Sequence, residues 1–111
     1  MKIFYKSFLF KLPILKEYEA IVLGTFCFFK EDKNNSIEQK SIIVHELVHQ
    51  EQMKKFGLFG FYLIYIHDYL INLIKYKNHE KAYYNIPFEM EAYRVQEEYI
   101  SKVKNEKIKD S

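Results

Sequence analysis

A chain of 111 residues is long enough for one domain with a real core and too short for two. It is 49% apolar and 18% aromatic, with ten Tyr and ten Phe, which excludes a disordered chain. A net charge of +2, with Arg94 the sole arginine and the lysines interspersed with glutamates, gives no basic stripe for nucleic acid, and the single Cys27 excludes an internal disulfide and fits a reducing compartment.

Residues 1–16 read as a strand or a short helix, with a break at Pro13. Lys6 and Lys11 interrupt the apolar start and no small-residue cleavage site follows, so a secretory signal is not expected. Lys2, Lys6, Lys11 and Lys16 accompany this apolar stretch, which leaves association with a membrane surface open. Residues 19–30 are β-branched and aromatic and predict one or two strands interrupted at Gly24. After the turn residues Glu31 to Asn35, Ser36 and Gln39 have the spacing of a capping box and predict a helix from about Ile37 to Lys55.

That helix carries His45-Glu46-Leu47-Val48-His49, an HExxH pattern. Histidines four apart on a helix share one face, so both imidazoles reach a single cation, and the intervening glutamate is placed to act on a water beside it. Ile42, Ile43, Val44, Leu47 and Val48 leave the helix almost no solvated face and predict a central position. A buried imidazole pair needs a partner for its nitrogens, and zinc supplies one. The plain alternative is a pair of hydrogen-bonded core histidines with Glu46 in a helix salt bridge.

Gly57 and Gly60 loosen the chain before a second helix, about Phe61 to Tyr76. The run Phe56 to Ile74 has nearly the length of a membrane span, but Asp68 near its middle opposes insertion, and Asp68, Asn72 and Lys75 form a polar stripe at i, i+4, i+7. The run therefore reads as a buried helix of a water-soluble domain. Lys77 to Glu80 form a connector, and a third helix is predicted from about Ile86 to Lys104, with a frayed charged tail at 105–111.

A catalytic zinc takes three protein ligands. The candidates for the third are His67, Asp68, His79, Glu89 and Glu91. With Phe88 at 0° and about 100° per residue, Glu89 falls near 100° inside an apolar arc, together with Gln96, whereas Glu91 falls near 300° on the solvated side. A carboxylate on an apolar face is costly unless paired or metal-bound, which selects Glu89. His67 reads as a hydrogen-bonded core residue, Asp68 as a group able to orient a ligand histidine, and His79 as solvated.

The pair of motifs His45-Glu46-x-x-His49 and Glu89-x-x-Ala92 resembles the gluzincin metallopeptidases, in particular the HtpX-like and ImmA-like branches with an ExxA third-ligand pattern. Phe88-Glu89-x-Glu91-Ala92-Tyr93, with Gln52 after HExxH, is also similar to short uncharacterised bacterial HExxH proteins. The layout extends over residues 20–100, although about seven residues carry it. Tyr93 departs from the pattern, standing where several relatives have Asp or Asn, and no transmembrane helices like those of the HtpX-like branch are found.

The resemblance implies an α+β fold: a minimal zincin-like domain with a short N-terminal β-sheet or hairpin packed on three helices, its core at about 15–104. It implies Zn2+ on His45, His49 and Glu89, Glu46 as general base, and hydrolysis of a peptide or unstructured protein segment. The oxyanion donor would be Tyr93, with Tyr83 and Tyr84 as alternatives, and residues 21–28 would present a strand edge to the substrate. The competing expectation is a catalytically inactive, zinc-stabilised binding or regulatory module. The expected location is cytoplasmic, with a membrane-peripheral position as the alternative.

Overall fold

The computed structural model describes residues 1–11, 18 and 20–109, and the break expected at Pro13 lies outside them. The chain is α+β, with a small mixed sheet followed by four helices. Strands β1 (Lys2–Phe4), β2 (Ala20–Leu23) and β3 (Phe26–Phe29) form a sheet in the order β1-β3-β2. β1 runs parallel to β3 with Ile3 opposite Cys27, and β2 runs antiparallel to it with Val22 opposite Cys27. A short 3-10 turn, Phe8–Lys11, follows β1. The two predicted strands are thus joined at Gly24, whose φ of +59° is the left-handed conformation that a tight turn requires and glycine adopts without strain. Alternation along β3 buries Cys27 and Phe29 and leaves Phe26 toward water.

Helix α1 spans Ile37–Phe56, and Ser36 caps it by accepting a hydrogen bond from the Gln39 backbone N–H at 3.1 Å. Only half of the capping box forms. The Gln39 side chain instead reaches back to the turn, accepting from Asn34 N–H and donating to the Asp32 carbonyl. Gly57 then adopts φ 78°, ψ 156°, a region open essentially to glycine, and the axis turns by 111° into α2, Leu58–Tyr76. α2 closes on Lys77 in the left-handed region, its N–H bonded to the Leu73 carbonyl.

The expected connector contains a short helix α3, His79–Tyr84, capped by Asn78. The final helix α4, Pro87–Lys109, runs through most of the segment expected to fray. That segment is rich in lysine and glutamate and has no Gly or Pro, so nothing in it ends a helix.

Two expectations about burial are corrected. α1 buries its polar side, Gln39, Ser41, His45, His49, Gln52 and Met53, while Leu47 is 48% exposed and Ile42 to Val44 are half-buried. α2 is not a buried helix either, since Phe61 alone among its residues is fully buried. The inward side of α2 carries aromatic and amide groups, Asn72 among them, which donates to the Ala82 carbonyl on α3. Part of the polar stripe therefore faces protein.

Candidate metal centre

α1 lies along α4, and the two histidines of HExxH meet the first turn of α4 in the buried layer between them. Ala92, completely buried one turn after Glu89, lets the helices approach there. His45 Nε2 and His49 Nε2 stand 2.9 and 2.7 Å from the same carboxylate oxygen, Glu89 Oε1, and 3.2 Å from each other. Both rings and the carboxylate are buried.

The other ring nitrogens fix the chemistry of this convergence. His45 Nδ1 is 2.8 Å from Gln96 Oε1, and His49 Nδ1 is 2.8 Å from Gln52 Oε1. The orientation of each amide follows from its second contact. Gln52 Nε2 donates to the Phe88 carbonyl, which can only accept. Gln96 Nε2 donates to Ser41 Oγ, whose own hydrogen goes to the Glu38 carbonyl. Both glutamines thus present oxygen to the rings and accept a hydrogen from each Nδ1, so the neutral form of each imidazole that keeps this bond turns an Nε2 lone pair inward.

With their hydrogens on Nδ1, both rings turn a lone pair toward the point that Glu89 Oε1 also faces, the arrangement a cation uses, whereas a hydrogen on Nε2 of either ring donates to Glu89 Oε1 instead. One cation there would satisfy all three ligand atoms at once. The described residues therefore contain a buried His45–His49–Glu89 group that can hold a metal ion, with one ligand atom from each within 4.8 Å of the others. The donor set fits: two neutral nitrogens and one carboxylate oxygen, each histidine backed by a hydrogen-bond acceptor.

Of the remaining candidates, Glu91 lies exposed on the far side of α4, as its helical phase predicts. His67 is not a core residue. It is exposed, and its Nδ1 sits 3.3 Å from Asp68, which is occupied at the surface rather than orienting a ligand. His79 is exposed and bonded to the Tyr69 hydroxyl. The chain reading missed Tyr65, whose hydroxyl donates to Glu89 Oε2 at 2.7 Å. Nothing in α2's own pattern marks it, because its role depends on which α2 side chains reach the start of α4. Ser41, Gln52 and Gln96 had a signal in hindsight: they lie four before His45, three after His49 and seven after Glu89, so each shares a helix face with one of the three converging residues.

Beside the group lies a cleft of about 700 Å³, lined by Glu46, His49, Glu89, Tyr65, Tyr83 and Tyr93 among others. Burial raises the Glu46 carboxyl above its ordinary range, with Glu89 adding to this and the two histidines opposing it. For Glu89, burial also acts upward, but hydrogen bonds from His45 and His49, the His49 charge and the Tyr65 hydroxyl outweigh it and hold the carboxyl well below the usual range. Burial would lower His49, yet its contacts with Glu89 raise it. The Tyr65, Tyr83 and Tyr93 hydroxyls are all pushed up, first by burial, and keep their hydrogens. Tyr93 packs its ring edgewise on His45 and shares a 3.1 Å hydrogen bond with the Tyr83 hydroxyl.

Across the cleft, Ala20 and Ile21 of β2 contribute to the wall. Among the described residues β2 is at the sheet edge, while β3 is central. The strand edge expected over residues 21–28 thus narrows to β2. Gln50 Nε2 and Tyr62 Oη hold the Gly24 turn through its carbonyl and its N–H, which ties the hairpin to α1 and α2. Compared with known proteins, the chain matches no protein-family model, no curated protein and no solved structure.

Proposed function

We propose that this chain is a small zinc-dependent metallopeptidase of the gluzincin type. The observation that carries the reading is the buried pair of imidazoles, each with Nδ1 held by a glutamine oxygen and Nε2 directed at Glu89 Oε1, with Glu46 in the adjoining cleft. Nitrogen-rich, three-ligand sites with a free side favour zinc over magnesium or calcium, which prefer oxygen. Zinc held there supplies Lewis-acid polarisation of a substrate carbonyl and makes water more acidic.

The chain's own groups supply the rest. Glu46 takes the proton from the attacking water and returns it to the leaving amine. Its carboxyl, raised by burial, is suited to carrying that proton in between. Tyr93, supported by the Tyr83 hydroxyl, donates to the oxyanion. The β2 edge takes an extended peptide by main-chain pairing, with Ala20 and Ile21 on the cleft wall.

The second reading, a zinc-stabilised binding or regulatory module without turnover, is favoured by the breadth of the exposed apolar face on α2. Zinc content and hydrolysis of a broad peptide library, measured for wild type and Glu46→Gln, separate the two. The enzyme reading expects equal zinc in both and activity in the wild type alone. Zinc in both with no cleavage by either supports the module, and a wild type that takes up no zinc sinks both.

A further inference from the structure

α2 presents the wrong side to water. With Leu58 at 0° and about 100° per residue, Phe61, Asn72, Tyr65 and Tyr62 occupy the packed arc from about 300° to 40°. The opposite arc, from about 80° to 240°, carries Ile66, Phe59, Leu70, Leu63, Ile74, Ile71 and Ile64, with Gly60 and His67 between them. Phe59 is 84% exposed, Leu63 70% and Ile74 77%. A continuous apolar face of this breadth marks an interaction surface rather than scattered exposed residues.

Exposed lysines flank α2 at both ends, one at each end lying over a neighbouring ring on the packed side. Lys55 Nζ lies 5.5 Å over the Phe56 ring at the N-terminal end, and Lys75 Nζ lies 5.2 Å over Tyr76 at the C-terminal end. Lys54 and Lys77 are exposed beside them, Lys54 also reaching Glu51 at 3.4 Å. Asp68, the acid of α2, falls near 280° and lies off the apolar arc. Lysines at both ends of an apolar stretch suit the boundary between acyl chains and anionic headgroups. No single described helix is long and apolar enough to cross a bilayer.

We propose that α2 docks in the plane of an anionic lipid surface, its Phe59–Leu63–Ile74 face in the acyl boundary and its terminal lysines on lipid phosphates. A second copy of the chain suits this face less well. A two-fold antiparallel pairing sets Lys54 and Lys55 against the partner's Lys75 and Lys77, and a parallel pairing sets each lysine against itself, so both bring like charges together. The face is also the convex side of one helix and offers no groove for a peptide. Tyr62 and Tyr65, which line the cleft, sit on the other arc, so docking leaves the cleft open to water. This inference does not depend on peptidase activity.

Flotation of the full chain with vesicles of equal parts phosphatidylglycerol and phosphatidylcholine, and with phosphatidylcholine alone, tests it. Wild type should float with the anionic vesicles. Phe59→Glu with Leu63→Glu should lower partitioning at least about a hundredfold, from the transfer cost of two large apolar side chains. Lys55→Gln with Lys75→Gln should weaken it about fivefold per lysine.

The chain has no tryptophan, so Leu63→Trp is a clean reporter. Its emission should shift to the blue and be quenched by brominated lipid, whereas Glu97→Trp on α4 should not respond. A wild type that stays below the lipid layer, or an unquenched Leu63→Trp, overturns the proposal. A salt-insensitive partition equal in both vesicle types removes the anionic lipid from it. A dimer that Phe59→Glu dissociates, without lipid binding, assigns the face to a second copy.

Discussion

Gln96 tests the reasoning about the metal centre most directly, because it touches a ligand and no other part of the cleft chemistry. Its Oε1 accepts the His45 Nδ1 hydrogen at 2.8 Å, and its Nε2 donates to Ser41 Oγ at 3.3 Å. Gln96→Leu keeps the volume and removes both contacts. Without a metal, the His45 ring can move its hydrogen to Nε2 and donate to Glu89 Oε1, already 2.9 Å away, so the metal-free protein loses little. With a metal on Nε2 the hydrogen must stay on Nδ1, buried and unpaired.

The penalty falls on the loaded state alone, so it reads out as affinity: about 10–100-fold, or about 1.4–2.7 kcal/mol. Gln96→Glu separates this from a mere packing effect. Its carboxylate still accepts from Nδ1 and strengthens the imidazole as a ligand, so affinity should equal or exceed that of wild type. Ser41 then turns its hydroxyl from the Glu38 carbonyl to the new carboxylate, a change of about 1 kcal/mol in stability. Competition with a chromophoric zinc chelator at fixed pH measures the affinities, and nitrogen NMR of the metal-free variants reports the tautomer. Equal affinities for the Leu and Glu variants, or a Leu variant that binds as tightly as wild type, would refute the argument.

Other outcomes follow from the same geometry. Glu89→Ala should abolish zinc retention on gel filtration while Glu91→Ala retains full zinc, and the reverse pattern would overturn the assignment by helical phase. Tyr65→Phe removes a hydroxyl bonded to a buried carboxylate, a loss of about 1.5–3 kcal/mol that should appear as a lower unfolding free energy in a denaturant series, and unchanged stability would count against that bond. Burial, with Glu46 adding to it, pushes the Cys27 thiol from 9.0 up to about 12, so a thiol reagent at pH 8 should label it only after denaturant is added. Because the folded value is the raised one, the stability this thiol contributes is complete below pH 9 and is lost as pH rises from about 9 to about 12. Cys27→Ala should therefore flatten the alkaline limb of a denaturation series, and an unchanged limb would count against the burial argument.

Much of the centre was legible because a regular helix converts sequence spacing into geometry. The four-residue spacing of His45 and His49 guaranteed a shared face, and phase alone placed Glu89 inward and Glu91 outward. The strand break at Gly24 and the cap at Ser36 were equally local, set by glycine's access to positive φ and by one side-chain hydrogen bond. Tyr65 was not legible, because its hydroxyl reaches Glu89 only through the tertiary placement of α2 beside the start of α4.

The misreading of α1 and α2 has a different cause, and it bears on how the chain folds. Periodicity says which side chains share a face but not which face turns inward, and the usual tie-breaker is that the apolar face does. Here the centre itself occupies the position of a core. The inner face of α1 runs Gln39, Ser41, His45, His49 and Gln52, and α2 meets it with tyrosines, because these groups satisfy one another around Glu89. No buried side-chain polar atom among the described residues lacks a partner. With the inward faces committed to this network, Ile and Leu on α2 have only the outside left. The polar centre and the exposed apolar face are two results of one arrangement, so a residue pattern that builds such a centre also builds a surface that needs a partner.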